Sequence, residues 1–252
     1  MGWDGNPVWT YRNSAIHHDF VRQSNGNTLL AEWVEIDPSG HEVRRIHIYD
    51  LLDPVRDAIC PLEQRWEWTH LNSLAEMGNG DILVSCRSNS RVFIVDRASG
   101  QIRWKYGSPD VYHQHHASVL ASGTVQIFDN GMHRLSTPFS RVVEVDPATS
   151  QVVWEYGGDP PEQFFSAHIS GAERQPNGNV LICEGASGRV FEITRRGETV
   201  WAWITPFTTN TAGRMRAWIF RVHRYAPDYP GLRRQSLDPG RYTDFNRLHG
   251  LM

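Results

Sequence analysis

NGDILVSCRSNSRVFIVDRASGQIRWKYG, residues 79–107, holds three short apolar runs set apart by two tight turns. Asn79-Gly80 is hairpin chemistry, because both residues tolerate the positive φ that a tight turn demands. Asp96, followed by a small-residue stretch ending in Gly100, marks a second turn in which the carboxylate bonds its own backbone. The last run carries Trp104. With the apolar run ahead of Asn79, the stretch reads as one four-stranded antiparallel unit.

The same unit recurs along the chain. Its opening turn and following strand are repeated as NGNTLLAEW from Asn25, SGTVQIFDNG from Ser122 and NGNVLICEG from Asn177. The later strands are repeated as RVVEVDPATSQVVWEYGG (141–158) and RVFEITRRGETVWAWI (189–204). Short-strand repeats of roughly 40–50 residues are the mark of a β-propeller. Trp104, Trp154 and Trp201 take one station in this pattern, which assigns them to packing between blades.

A propeller must close its ring to protect its sheet edges. GNPVWTYR near the N-terminus reads as an isolated outer strand, and AWIFRVHRYAPDYPGL near the C-terminus as the opening of another blade. Joined, they predict a fifth blade built from both termini. Six blades, or a ring completed as a homo-oligomer, are the alternatives. Residues 1–232 are therefore read as one all-β propeller domain and 233–252 as a C-terminal tail or arm. A helical turn or two is expected only between Asp50 and Glu67.

Composition narrows the partners. With 25 Lys plus Arg against 28 Asp plus Glu, the net charge is −3, which gives no electrostatic reason to expect nucleic acid or an anionic membrane. No run approaches the roughly 20 apolar residues of a membrane helix. The first fifteen residues lack the basic and apolar regions of a leader. The expected location is cytoplasmic, or periplasmic if a leader has been removed. Cys60, Cys86 and Cys183 are odd in number and widely spaced, indicating neither a disulfide framework nor a zinc knuckle.

Histidine carries the functional signal. Just ahead of the turns lie His17 and His18, His70, His113 with His115 and His116, and His168, with His223 in the C-terminal segment. Those before a turn stand eight to ten residues ahead of its glycine. Innermost strands line a propeller axis, so equal stations converge in space. Burying several titratable rings together is costly, and a folding role would be met by cheaper residues. Of each adjacent pair only one ring can face the axis, and His18 and His115 are the preferred candidates.

These residues carry a family resemblance. WTHLNSL with residues 80–107, then QHHASVL and GTVQIFDNGMHR, then SRVVEVDPATSQVVWEYG, resemble successive blades of arylsulfotransferases from about residue 16 to 225. The resemblance implies sulfuryl transfer between phenols through a sulfated histidine, with no nucleotide donor and no cofactor. It assigns His70, His115 and Arg134 to holding the sulfate oxygens and helping the leaving phenol. The family's nucleophile is expected around EGASGRVFEI, where this chain has Ser187, Gly188 and Arg189. His168, one strand earlier in that blade, is the candidate nucleophile. The chain is about a blade shorter than typical members, which makes it a divergent one.

The substrate implied is small and aromatic or anionic, with His18, His223 and Arg216 as binding candidates. Arg221 and Arg224 flank His223 and are open to the same anionic role. Guanidinium groups and imidazoles suit a developing anionic charge, and a neutral imidazole is a competent nucleophile. A second reading is a metal enzyme, an oxidoreductase, lyase or hydrolase, with iron, copper, zinc or nickel held by His18, His70, His115, His168 and His223. A third is a non-catalytic binding propeller. Asp129 and Glu184 read as turn caps able to orient imidazoles, and Glu173 and Arg174 as a pair between blades.

Overall fold

The computed structural model describes residues 3–248 except Asp4, Val8, Ala15 and Glu32. Four antiparallel sheets of four strands follow one another along the chain. The first comprises β1 (Phe20–Arg22), β2 (Thr28–Leu30), β3 (Val34–Ile36) and β4 (Glu42–Arg45). The second comprises β5 (Leu71–Glu76), β6 (Ile82–Cys86), β7 (Arg91–Val95) and β8 (Ile102–Gly107). The third holds β9 (His115–Val119), β10 (Val125–Asp129), β11 (Arg141–Asp146) and β12 (Gln151–Gly157). The fourth holds β13 (Gly171–Arg174), β14 (Val180–Glu184), β15 (Arg189–Ile193) and β16 (Thr199–Ile204). Each sheet is a simple meander, so the protein is an all-β propeller with the first strand of each blade innermost.

The turns form as their residues demand. Gly26, Gly80 and Gly178 take φ of +87°, +86° and +87°, while Asn25, Asn79 and Asn177 accept the backbone N–H two residues on at 2.9, 3.1 and 3.0 Å. Between the last two strands, Asp37, Asp96 and Asp146 accept the N–H groups of Ser39, Ser99 and Ala148. Strands β6, β10 and β14 are buried along their whole length, because both faces of a middle strand lie between neighbouring blades.

Blades are joined by side chains at regular stations. Trp104 of the second blade donates Nε1–H to Ser150 Oγ of the third at 3.1 Å. Trp154 of the third donates to the Arg195 carbonyl of the fourth at 3.0 Å. Glu35 pairs with Arg97 of the second blade at 2.5 Å. Glu144 pairs with Arg195 at 2.8 Å and with Arg174, and Glu192 pairs with Arg224 beyond the fourth blade.

The expected fifth blade does not form as a sheet among the described residues. After the fourth blade comes a small ribbon, β17 (Thr209–Thr211) with β18 (Arg214–Arg216). Residues 217–224 then run on without strand pairing. Ile219 and Val222 cover the outer face of the fourth blade, and Tyr11 and Ile16 cover the corresponding face of the first. The two termini thus flank the open position without pairing as strands, although the C-terminal segment bonds the fourth blade at its edge, Ile219 N–H to the Gly185 carbonyl and Ser170 N–H to the Phe220 carbonyl, each at 3.0 Å. A cavity of about 920 Å³ remains on the first-blade side, lined among others by Trp9, Tyr11, Ile16, Phe20 and Leu30. Arg221 bridges the opening, donating to Asp19 at 3.0 Å and to the Asn72 carbonyl at 3.3 Å.

Between β4 and β5 a 3-10 turn forms at Ile48–Leu51, overlapping only the start of the stretch where a helical turn is expected, and further short helical turns form at Pro161–Gln163 and from Pro230 on. In the expected tail, α1 (Thr243–Leu248) is short, and Gln235 donates to the Trp3 carbonyl at 3.3 Å. No disulfide joins the three cysteines. No described helix is long and apolar enough to cross a membrane.

Candidate active site

The entries to the innermost strands have unusual backbone. His18, His70 and Ile169, each at the start of a first strand, take φ of 69°, 47° and 52°. The left-handed region disfavours residues with a Cβ, and such positions concentrate where a side chain must be aimed rather than merely packed.

His18 and His70 meet with their Nε2 atoms 3.2 Å apart. Glu67 accepts from His70 Nδ1 at 2.8 Å and lies 3.4 Å from His17 Nε2, so a neutral His70 presents its Nε2 lone pair to His18. Loss of solvation, then His70 and His17, push the His18 pKa down to about 4.

His115 and His116 face different partners. Asn130 spends both amide protons on the carbonyls of Ser166 and Ile169, at 2.7 and 3.0 Å. Its oxygen is therefore an acceptor, and the 2.8 Å contact to His115 Nδ1 places a proton on that nitrogen. His115 Nε2 keeps its lone pair. Burial, then Arg87 and the histidines His70 and His18, press its pKa down to about 3 against the Asn130 bond. His116 instead accepts the Ala172 N–H on Nδ1 at 3.2 Å. It serves as a joint between the third and fourth blades, where the backbone at Gly171 is too close to its ring for any Cβ.

His168 is half-buried and stands edge-to-face with Trp218, ring centroids 4.9 Å apart. Burial, then the positive charges of Arg87 and Arg216, lower its pKa, which favours the neutral ring at pH 7. Arg216 lies 5.4 Å from the Trp218 ring. Both come from the segment leaving the fourth blade, which completes the site from the open side.

The motif residues around these rings act largely as fasteners. Asn72 donates to the Gln114 carbonyl at 2.7 Å, Ser73 Oγ accepts from Ala117 at 3.0 Å, and Gln114 donates to Ser85, Cys86 and Arg91. Asp129 accepts from Tyr112 and Gly131 and holds Arg134 at 2.6 Å and Arg141 at 2.9 Å. Arg134 also lies over Tyr112 and Phe139, so its charge is spent on Asp129. Glu184 pairs with Arg189 at 2.7 Å. His223 pairs with Glu173 at 3.0 Å and lies 6.1 Å from His116.

His18, His70, His115, His168 and His223 are thus not gathered as one ligand set. Among the described residues, the group close enough to share an ion is Cys60, His113 and His133. Sequence reasoning missed Arg87 altogether. It ends the second strand of its blade, pairs with Glu63 at 2.8 Å, and depresses the pKa of His113, His115 and His168. Nothing local distinguishes it from an ordinary strand-end arginine. Glu63 and Glu67 sit in the strand-free stretch before β5, where spacing carries no signal.

In the turn at Gly185 to Arg189, where a histidine is expected, the two glycine positions have no room for one. A Cβ on Gly185 would strike the Ile219 carbonyl, and one on Gly188 the Ala217 carbonyl. Gly188 also takes φ of +71°. The turn is a seat for the crossing segment that brings Arg216 and Trp218 to His168.

Fold and site together define a β-propeller with an axial cluster of imidazoles and guanidinium groups. The chain belongs to the arylsulfotransferase (ASST) family, whose model matches residues 8–205. The match ends before Arg216, Trp218 and His223. No curated protein matches significantly. Among solved structures, a protein of unknown function from Bacteroides caccae is similar at TM-score 0.54 and 15% identity, over 79% of this chain and 71% of that one. A catalytically inactive virginiamycin B lyase from Staphylococcus aureus, crystallised with quinupristin, is similar at TM-score 0.53 and 14% identity, over 79% of this chain and 58% of the lyase. The chain thus spans little more than half the length of that lyase, and at these identities the likeness is one of fold.

Proposed function

We propose that this chain transfers a sulfuryl group between phenolic compounds through His168. The observation that carries this reading is the His168 ring, kept neutral beside Trp218 with Arg87 and Arg216 acting on it. A neutral imidazole has the lone pair that attack requires, and two fixed cations suit the anionic sulfuryl oxygens before and during transfer.

In the first half-reaction a His168 nitrogen attacks the sulfur of an aryl sulfate. An N–S bond forms, the S–O ester bond breaks, and the departing phenolate takes a proton from solvent. In the second, an acceptor phenol gives its proton to solvent or to the neutral His18–His70 pair acting as base, its oxygen attacks the same sulfur, and the N–S bond breaks to release His168. Trp218 offers an aromatic face to donor and acceptor. His115 keeps its Nε2 lone pair, and His18 and His223 support the substrate site from outside this core, while Arg134 stays bound to Asp129.

Incubation with an aryl sulfate, followed by peptide mass spectrometry, should find one added sulfuryl group on the His168 peptide, with phenol released in step. His168→Ala should lose both. An adduct that persists in His168→Ala, or no adduct with any of several donors, would rule the assignment out.

A further inference from the structure

Three ligand atoms converge outside the proposed transfer site. His133 Nδ1 lies 3.4 Å from Cys60 Sγ and 3.2 Å from His113 Nε2, and one atom from each residue lies within 4.8 Å of the other two. A tetrahedral zinc ion with the usual bond lengths sets sulfur–nitrogen edges of about 3.6 Å and nitrogen–nitrogen edges of about 3.3 Å. The two measured separations match those edges.

Hydrogen bonding alone accounts poorly for the cluster. His133 Nδ1 carries either one proton or one lone pair, yet it faces two partners at once. His113 has no exposed surface, and its Nδ1 has no hydrogen-bond partner. Glu63 Oε1 lies 3.3 Å from that nitrogen. A metal-bound histidine that turns its other nitrogen to a carboxylate is the usual supporting arrangement around zinc. His113 and His133 both take left-handed backbone, φ 53° and 62°, which aims rings at a point at a conformational cost.

We propose that Cys60, His113 and His133 bind one zinc ion, with Glu63 orienting His113 and a fourth position left open. Cys60 releases its thiol proton to solvent as the ion binds, and both imidazoles ligate as neutral rings. Cys60 comes from the connection between β4 and β5, His113 from the residues ahead of β9, and His133 from the connection between β10 and β11. The ion ties these three connections together at one end of the second and third blades. Glu63 also pairs with Arg87 at 2.8 Å, so the site abuts the axial cluster without sharing a ligand with it.

The test uses the full chain, without a histidine tag and stripped with chelator. Titration with zinc(II) should show one equivalent bound and one proton released. Cobalt(II) should give visible d–d bands of tetrahedral intensity and a thiolate-to-cobalt charge-transfer band. Cys60→Ser should abolish that band, and His133→Gln should weaken zinc binding at least about a hundredfold; His18→Ala should leave the spectrum unchanged. Cys86 and Cys183 are buried, so maleimide labelling reports on Cys60, and zinc should protect it. Absence of the charge-transfer band, or zinc affinity unchanged in both ligand variants, would overturn the proposal. Retained far-ultraviolet circular dichroism in the variants separates loss of the site from loss of the fold.

Discussion

Asn130 fixes His115: with both amide protons committed to backbone carbonyls, its oxygen takes the Nδ1 proton of the ring at 2.8 Å. The neighbouring His116 is held the opposite way, its Nδ1 accepting the Ala172 N–H. Adjacent histidines should therefore be opposite tautomers. Long-range nitrogen–proton correlation at pH 7 should show His115 protonated on Nδ1 and His116 on Nε2. Both rings in one tautomer would contradict the assignment. Asn130→Ala, which removes bonds to two carbonyls and one buried ring, should cost about 3 kcal/mol of stability.

The same burial makes His115 a sensor of acid. Its folded pKa is about 3 against 6.5 for the free group. Above pH 6.5 both states are neutral and nothing is lost. Between pH 6.5 and about 3 the unfolded chain takes up a proton that the folded chain refuses, so stability falls as pH falls, and the loss is complete below about 3. Denaturant unfolding of metal-free protein should lose stability steadily across that window. His115→Gln should flatten part of the slope.

Transfer should depend on pH through His168. Burial, Arg87 and Arg216 lower its pKa, so kcat/KM for an aryl sulfate should be level from neutral pH upward and fall only below pH 6.5, as the ring gains a proton. Arg216→Gln removes a positive neighbour, which should move the inflection upward and raise KM for the donor. An inflection that moves downward in Arg216→Gln would contradict the arrangement.

Two glycines with similar backbone should respond differently to alanine. Gly178 takes φ +87° with nothing near a Cβ, whereas Gly188 takes φ +71° with the Ala217 carbonyl in the way. Gly178→Ala should cost about 1 kcal/mol from backbone strain alone. Gly188→Ala should cost about 3 kcal/mol or more. It should also speed proteolysis between residues 205 and 217, because it unseats the crossing segment. Equal thermal shifts would show that the segment does not press on this turn.

Much of the fold was legible because its determinants are local. Asn-Gly turns, Asp-initiated turns and the tryptophan station each depend on residues within a few positions, and they recur with the period of the blade. The histidine stations were legible for the same reason. The pair of Arg134 with Asp129, five residues apart, was also within reach, but Asp129 read as a turn cap and Arg134 as a free cation.

The sequence by itself determined the four-stranded blades, their strand order and the placing of a histidine at the entry to successive innermost strands, while also predicting a fifth blade from the two termini. Only the tertiary structure decided how each ring of the His115–His116 pair is held, because Asn130 and Ala172 reach them from other parts of the fold. It alone brought Arg87, Arg216 and Trp218 to His168, and Cys60 to His113 and His133. It also placed the two termini against the first and fourth blades without pairing them into a fifth. Contacts between blades depend on how whole sheets pack around the axis, a geometry to which each local stretch contributes and which none specifies alone.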